Sequence, residues 1–183
     1  MADLTTLPTL KSWLEIKGSE HDDLLIRLIS AASGFIQTWL NRVIASASYT
    51  EYRDGHDGQH LIFANYPVTA VTAVSVDGVP IPASSGPTVS GYVFSATRIS
   101  LRGIYCFDRG VQNVSLEYTA GYVSTPTELE QACIELISAR YKERDRIGLV
   151  SKGLAGETIT FSQKDMSSSV RTTLQNYKKV VTV

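Results

Sequence analysis

The sequence predicts an α+β protein: a small α-helical bundle core, an antiparallel β subdomain inserted into it, and an extended C-terminal tail. Three observations predict it. Apolar residues recur at three- and four-residue steps near both ends of the chain, as on amphipathic helices. Between them the period falls to two, and Val, Thr and turn residues take over. Beyond Gly148 the pattern thins before one last short stripe. The boundaries that follow are a helical domain over 1–148, with helices over about 6–17, 20–42 and 126–147 and a β insertion over about 48–120. A tail with a short helix then runs over 149–183.

The first helix is capped by Thr6 and tolerates Pro8 in its first turn, with Leu7, Leu10, Trp13 and Leu14 on one face and Gly18 as the left-handed C-cap. The second carries the clearest stripe: Leu24, Leu25, Leu28, Ile29, Ala32, Phe35, Ile36, Trp39 and Leu40. Asp22 or Ser19 caps it, the acidic Glu20, Asp22 and Asp23 suit its start, and Arg27, Ser30, Gln37 and Thr38 fall off the stripe. It ends near Asn41-Arg42.

Strands are predicted at Tyr49–Arg53, His60–Phe63, Val68–Val76 and Val79–Ile81. The first two flank a turn at Asp54-Gly55-His56-Asp57-Gly58, and the last two a tight Asp77-Gly78 hairpin. Pro80 and Pro82 put the return strand at an edge. A Ser/Gly/Pro loop over 83–91 leads to a strand pair at Tyr92–Phe94 and Arg98–Leu101, and then to a strand over Val111–Tyr118. Thr125-Pro126-Thr127-Glu128 reads as a capping box, followed by a stripe of Leu129, Ala132, Cys133, Leu136, Ile137 and Tyr141. In the tail, Thr158–Phe161 suggests a short strand, and Ser167 starts a helix with Val170, Leu174 and Tyr177 on one side.

Composition narrows the function. The apolar fraction is 43% and the charged fraction 19%, ordinary for a chain that buries a core. A net charge of -1 gives no global basic excess for holding a polyanion. Cys106 and Cys133 do not form a disulfide framework and read as two free, buried thiols in a reducing cytoplasm. The start, Met1-Ala2-Asp3-Leu4, lacks a basic and apolar leader, and no apolar run has the length of a membrane helix, so a soluble product made inside the cell is expected.

The search for catalytic patterns returns little. There is no Gly-x-Ser-x-Gly elbow, phosphate loop, dinucleotide fingerprint, His-Glu-x-x-His or paired Cys-x-x-Cys. Asp54, His56, Asp57 and His60 hold oxygen and nitrogen atoms that a metal-dependent hydrolase would use, yet the spacing fails as a calcium loop: Gln59 stands where Gly is required and Asn65 where Glu is. A turn rich in Asp and Gly for backbone reasons is the simpler reading. Cys133 reads as a small buried hydrophobe and His21 as an exposed first-turn residue. Arg140, Lys142, Arg144 and Arg146 alternate with Glu143 and Asp145, which suits a solvated helix end better than a nucleic-acid-binding module. Trp13 and Trp39 are expected in the core. No catalytic residue, metal ligand or cofactor is expected.

The order of the pieces resembles a known family. Leu10-Lys11-Ser12-Trp13-Leu14-Glu15-Ile16, then Asp22-Asp23-Leu24-Leu25-Ile26-Arg27-Leu28-Ile29 with Ala31-Ala32, is similar to the opening helix pair of tailed-bacteriophage head–tail connector (adaptor) proteins, and Phe35-Ile36 through Leu40-Asn41-Arg42 continues it. Tyr66-Pro67-Val68, Val74-Ser75-Val76-Asp77-Gly78 and Val114-Ser115-Leu116-Glu117-Tyr118-Thr119-Ala120-Gly121-Tyr122 resemble the family's strand insertion, and the helix after Pro126 follows in turn. The resemblance implies a structural virion protein forming a ring of about twelve subunits, joined by head-to-tail contacts. That ring would lie between the portal protein and a downstream neck, stopper or tail-terminator protein, and would aid head completion and tail attachment. DNA would pass through its channel without sequence-specific binding, and assembly would take place in the host cytoplasm. The tail would grip the portal or a neighbour, with Val170, Leu174 and Tyr177 as apolar anchors and Arg171, Lys178 and Lys179 beside them.

Overall fold

The computed structural model describes residues 2–144, 151–154, 157–160 and 166–179, with the backbone alone for 151–154 and 157–160. The chain is α+β and divides into two compact units: residues 1–43 with 125–183, and residues 44–124. Thus the last helix belongs to the helical unit.

In the helical unit, α1 (Leu7–Leu14) is capped by the Thr6 hydroxyl, which accepts from the Thr9 N–H. Its left-handed C-cap is Glu15, at φ 58°, not Gly18; the Ile16 N–H closes the end on the Lys11 carbonyl at 3.0 Å. α2 (Asp22–Leu40) starts without a side-chain cap. Asp22 instead accepts from Lys11 on α1 at 2.7 Å, so the carboxylate ties two helices together. Asn41, at φ 54°, ends α2 where expected. α3 (Thr127–Glu143) begins after Pro126, and the expected capping box does not form. The Leu129 and Glu130 N–H groups both reach the Pro126 carbonyl, and the Glu128 carboxylate accepts from the Tyr177 hydroxyl at 2.9 Å. α4 (Ser168–Gln175) is capped by Ser167, whose Oγ accepts from the Val170 N–H.

The face of α2 that packs inward is turned from the one its apolar count suggests. Leu25, Ile29, Ala32, Ser33, Ile36, Gln37 and Leu40 are buried, whereas Leu24 is exposed and Leu28, Phe35 and Trp39 are half-buried. Gln37 is inside because the N-terminal segment crosses α2: its Nε2 donates to the Ala2 carbonyl at 2.9 Å, and the Leu4 N–H donates to Ser33 Oγ at 2.9 Å. Leu4 itself is buried.

The other unit is built from two sheets. β1 (Ala47–Gly55), β7 (Gly110–Ala120), β3 (Val68–Val76) and β4 (Val79–Pro80) form one, in the order β1-β7-β3-β4. β2 (His60–Ile62), β6 (Arg98–Arg102) and β5 (Gly91–Phe94) form the other, in the order β2-β6-β5, and every pair is antiparallel. β4 is the edge that Pro80 predicts. Asp77 and Gly78, at φ 50° and 77°, make the hairpin before it. β7 lies centrally and buries Val114, Leu116, Tyr118 and Ala120 on alternate positions. They share one core with Leu61, Phe63, Ile99, Leu101 and Phe107, where the Phe63 and Tyr118 rings sit 4.6 Å apart.

The expected hairpin between β1 and β2 is absent. β1 pairs with β7 and β2 with β6, so residues 56–59 carry the chain from one sheet to the other. Alternating polarity marks a strand but does not name its partner. Following α3, β8 (Ser151–Leu154) and β9 (Glu157–Thr160) pair with each other alone as a two-stranded sheet.

Candidate interaction surfaces

Of the four residues singled out for metal chemistry, Asp54 and Asp57 hold backbone and His60 meets a serine hydroxyl. Asp54 Oδ1 accepts from the Gln112 N–H at 2.6 Å, Asp57 Oδ1 accepts from the Arg109 N–H at 2.9 Å, and His60 Nδ1 lies 2.8 Å from Ser100 Oγ. Asp54 braces β1 against β7, His60 braces β2 against β6, and Asp57 fastens the crossing segment to the turn before β7. Among the described residues, no group of three or more His, Cys, Asp or Glu side chains comes together to hold a metal.

Two buried polar groups are likewise structural. The Tyr118 hydroxyl donates to Glu51 Oε2 at 2.6 Å and accepts from the Asn65 N–H at 3.2 Å, while Glu51 Oε2 also accepts from the Ala64 N–H. Burial, and then the bond to Glu51, push the Tyr118 hydroxyl up to about 12. Glu51 Oε1 faces the Arg53 guanidinium at 3.1 Å. The Cys133 thiol, buried on α3 beside Ser33, is pushed up to about 11 by desolvation, which leaves it a poor nucleophile. Cys106, expected to be buried, is partly accessible because it lies in the loop before β7, and its thiol is raised first by the hydrogen bond it donates to Asp108.

What remains is surface. Of the six tail residues expected to meet a partner, Val170 and Leu174 are 3% and 0% exposed. They lie in the helical unit, where α4 packs on α3 and α2, and they do not form a free apolar stripe. Eight residues of helix cannot stand alone in water, and the apolar side of α4 finds its cover within its own chain. Arg171 points outward. Tyr177 bonds Glu128, and the Lys179 N–H donates to the Leu40 carbonyl at 3.0 Å. Lys178 Nζ sits 4.7 Å from the centre of the Trp39 ring.

That last pair belongs to a pattern the sequence did not reveal. Arg140 stacks on Phe35 at 5.0 Å and Arg144 on Tyr141 at 4.3 Å. Two of the four cations considered for nucleic acid therefore lie over rings; Lys142 is exposed, and Arg146 lies outside the described residues. Trp13 is not in the core: it is 54% exposed. It borders a surface groove of about 550 Å³ between α1 and α3, with Thr9, Ser12, Thr127, Glu130, Gln131 and Ile134. α1 buries only Leu10 fully, so one turn further on the indole lies at its margin.

The model of the head completion protein family matches residues 3–180, and the chain belongs to that family. Membership makes it a head completion protein, a structural component. The fold is similar to chains in three solved assemblies. One is the neck of a native gene transfer agent particle computed with C12 symmetry, at TM-score 0.56 and 19% identity. Another is the neck of the empty particle computed with C6 symmetry, at 0.54 and 20%. The third is the virion of the native particle, at 0.57 and 19%. Each match covers 100% of this chain and 96% of the other. Among curated proteins none matches.

Proposed function

We propose that this chain is one subunit of a head–tail connector ring of about twelve copies, set between the portal and the next neck or tail protein. The ring extends the DNA channel, completes the filled head and offers a docking surface to the tail. Its work is assembly, with no bond made or broken. Assembly takes place in the host cytoplasm and ends in the virion. The observation that carries this reading is the family match over residues 3–180, which takes in both units and α4. The likeness to chains in necks of C6 and C12 symmetry supports it.

The gripping element differs from the one the sequence suggests. With Val170 and Leu174 buried, the part of the tail suited to a partner is the segment between α3 and α4, which contains the β8–β9 hairpin. An isolated two-stranded hairpin is marginal in water and gains stability when a partner covers it. Arg171, exposed on α4, stands ready to frame that contact.

Replacing residues 149–165 with a Gly/Ser linker of equal length, keeping α4, tests this. The variant should fold, keep its thermal midpoint and fail to join heads to tails in a complementation assay. Normal yields of infectious particles from that variant would sink the assignment of the grip to this segment.

A further inference from the structure

The helical unit presents two further surfaces, whose charged residues differ in sign. The first is a second apolar strip on α2. Leu24, Leu28, Ala31, Phe35 and Trp39 fall within an arc of about 80° at 100° per residue, beside the buried face but outside it. Arg140 and Lys178 lie over Phe35 and Trp39, and among the described residues neither cation makes an ion pair. The strip is therefore apolar, aromatic and positively charged.

The second surface is the groove between α1 and α3 that Trp13 borders. Glu130 lies within it, where its Oε1 accepts from the Thr5 hydroxyl at 3.1 Å. Trp13 and Ile134 give it an apolar side, Thr9, Ser12, Thr127 and Gln131 a polar one, and Glu130 is the one charged residue among the described ones that lines it. The two surfaces occupy different flanks of α3: Arg140 and Glu130, ten residues apart, are separated by about 80° around the axis, and Ile134 by about 120°. One copy thus cannot satisfy its strip with its own groove, and a second copy can.

Resting on the ring reading, we propose that the α2 strip of one copy docks into the α1–α3 groove of the next, with Trp13 packed on the strip and Glu130 meeting Arg140 and Lys178. The contact is heterologous, the kind that closes a ring by rotation. Its apolar centre supplies burial, and its charges fix direction and register. Aromatic and Arg anchors are the residue types that dominate such contacts.

A carbodiimide, which joins a carboxylate directly to a lysine amine, reads the contact. The full chain is prepared as an equal mixture of light and nitrogen-15-labelled protein, treated at high concentration and, in parallel, within purified particles. Mass spectrometry should find a Glu130–Lys178 link between copies. Links between copies that all lie elsewhere would overturn the interface and leave the ring standing. No link between copies in either preparation, with no repeated density at the neck, would overturn the ring reading itself.

Charge reversal gives an independent arm. Arg140→Glu with Lys178→Glu, and separately Glu130→Lys with Gln131→Lys, should each weaken self-association by about a hundredfold. Mixing the two variants should restore it to within about tenfold of wild type, because each strip then meets an opposite groove. Failure to restore would overturn the pairing. Trp13→Ala, an exposed change that leaves the fold intact, should weaken association without reversal. If the strip variant instead lost salt-dependent DNA binding while copies still associated normally, the strip would be a nucleic-acid face and the proposal wrong.

Discussion

Leu174 decides whether the last helix is part of the subunit or a free latch. Its side chain is 0% exposed within the helical unit. Leu174→Ala removes buried carbon atoms and leaves a cavity, which costs about 2–5 kcal/mol in a well-packed core. α4 is short and lies at the margin of its unit, so about 2.5 kcal/mol is expected, near the low end of that range. For a chain of this size each kcal/mol lowers the midpoint by about 2–4 °C, giving a fall of about 5–10 °C. The protein has two tryptophans, Trp13 and Trp39, and both lie in the helical unit. Intrinsic fluorescence therefore follows the unfolding of that unit. Gln175→Ala, an exposed neighbour, serves as the control and should change stability by no more than about 0.5 kcal/mol. If Leu174→Ala behaved like the control, α4 would not be packed in solution, and the free-latch reading would return.

Four further outcomes are expected. Tyr118→Phe removes a bond to Glu51 and should destabilise the β unit by about 1–2 kcal/mol, measured by urea unfolding in circular dichroism; equal midpoints for both proteins would contradict the network. Because the Tyr118 hydroxyl is raised above its unfolded value, its contribution is fully present below about pH 10 and is lost as pH rises through about 12. Wild type should thus lose stability over that window more steeply than Tyr118→Phe, in parallel alkaline titrations. A thiol reagent should label one cysteine, Cys106, in the native protein and reach Cys133 only on unfolding; rapid labelling of both would show that the α2–α3 packing is wrong. Gly55→Ala places a methyl group against the Asp108 carbonyl and should lower the β unit's midpoint sharply, by about 1–3 kcal/mol of overpacking, whereas Gly18→Ala meets nothing and should not.

Much of the fold is legible from local pattern. Val68–Val76, the Asp77-Gly78 turn and the edge position of Pro80 follow from residue types alone, because period and turn chemistry are local properties. Pairing is not local, which is why β1 and β2 look like a hairpin in sequence and lie in different sheets. Helix ends are the next loss. Glu15 takes the left-handed C-cap that Gly18 suits better, because the apolar face of α1 ends at Leu14. The surfaces are hardest. An apolar stripe does not say whether the same chain or another covers it. Val170 and Leu174 turn inward, while Leu24 and Trp13 stay outside. Gln37 looks like a solvent-side residue until the N-terminal segment is seen to cross it. The pairing of Arg140 with Phe35 and of Lys178 with Trp39 joins residues about a hundred or more positions apart, and no periodicity reports it.

The central claim is that this chain is a repeated structural subunit at the junction of head and tail. Cryo-electron microscopy of purified particles, with the neck reconstructed at rotational symmetry, tests it most directly. The helical unit should recur around the particle axis, next to the portal, with the α2 strip of each copy against its neighbour. A neck resolved to side chains in which this fold is missing, or occurs once without a repeat, would contradict the account.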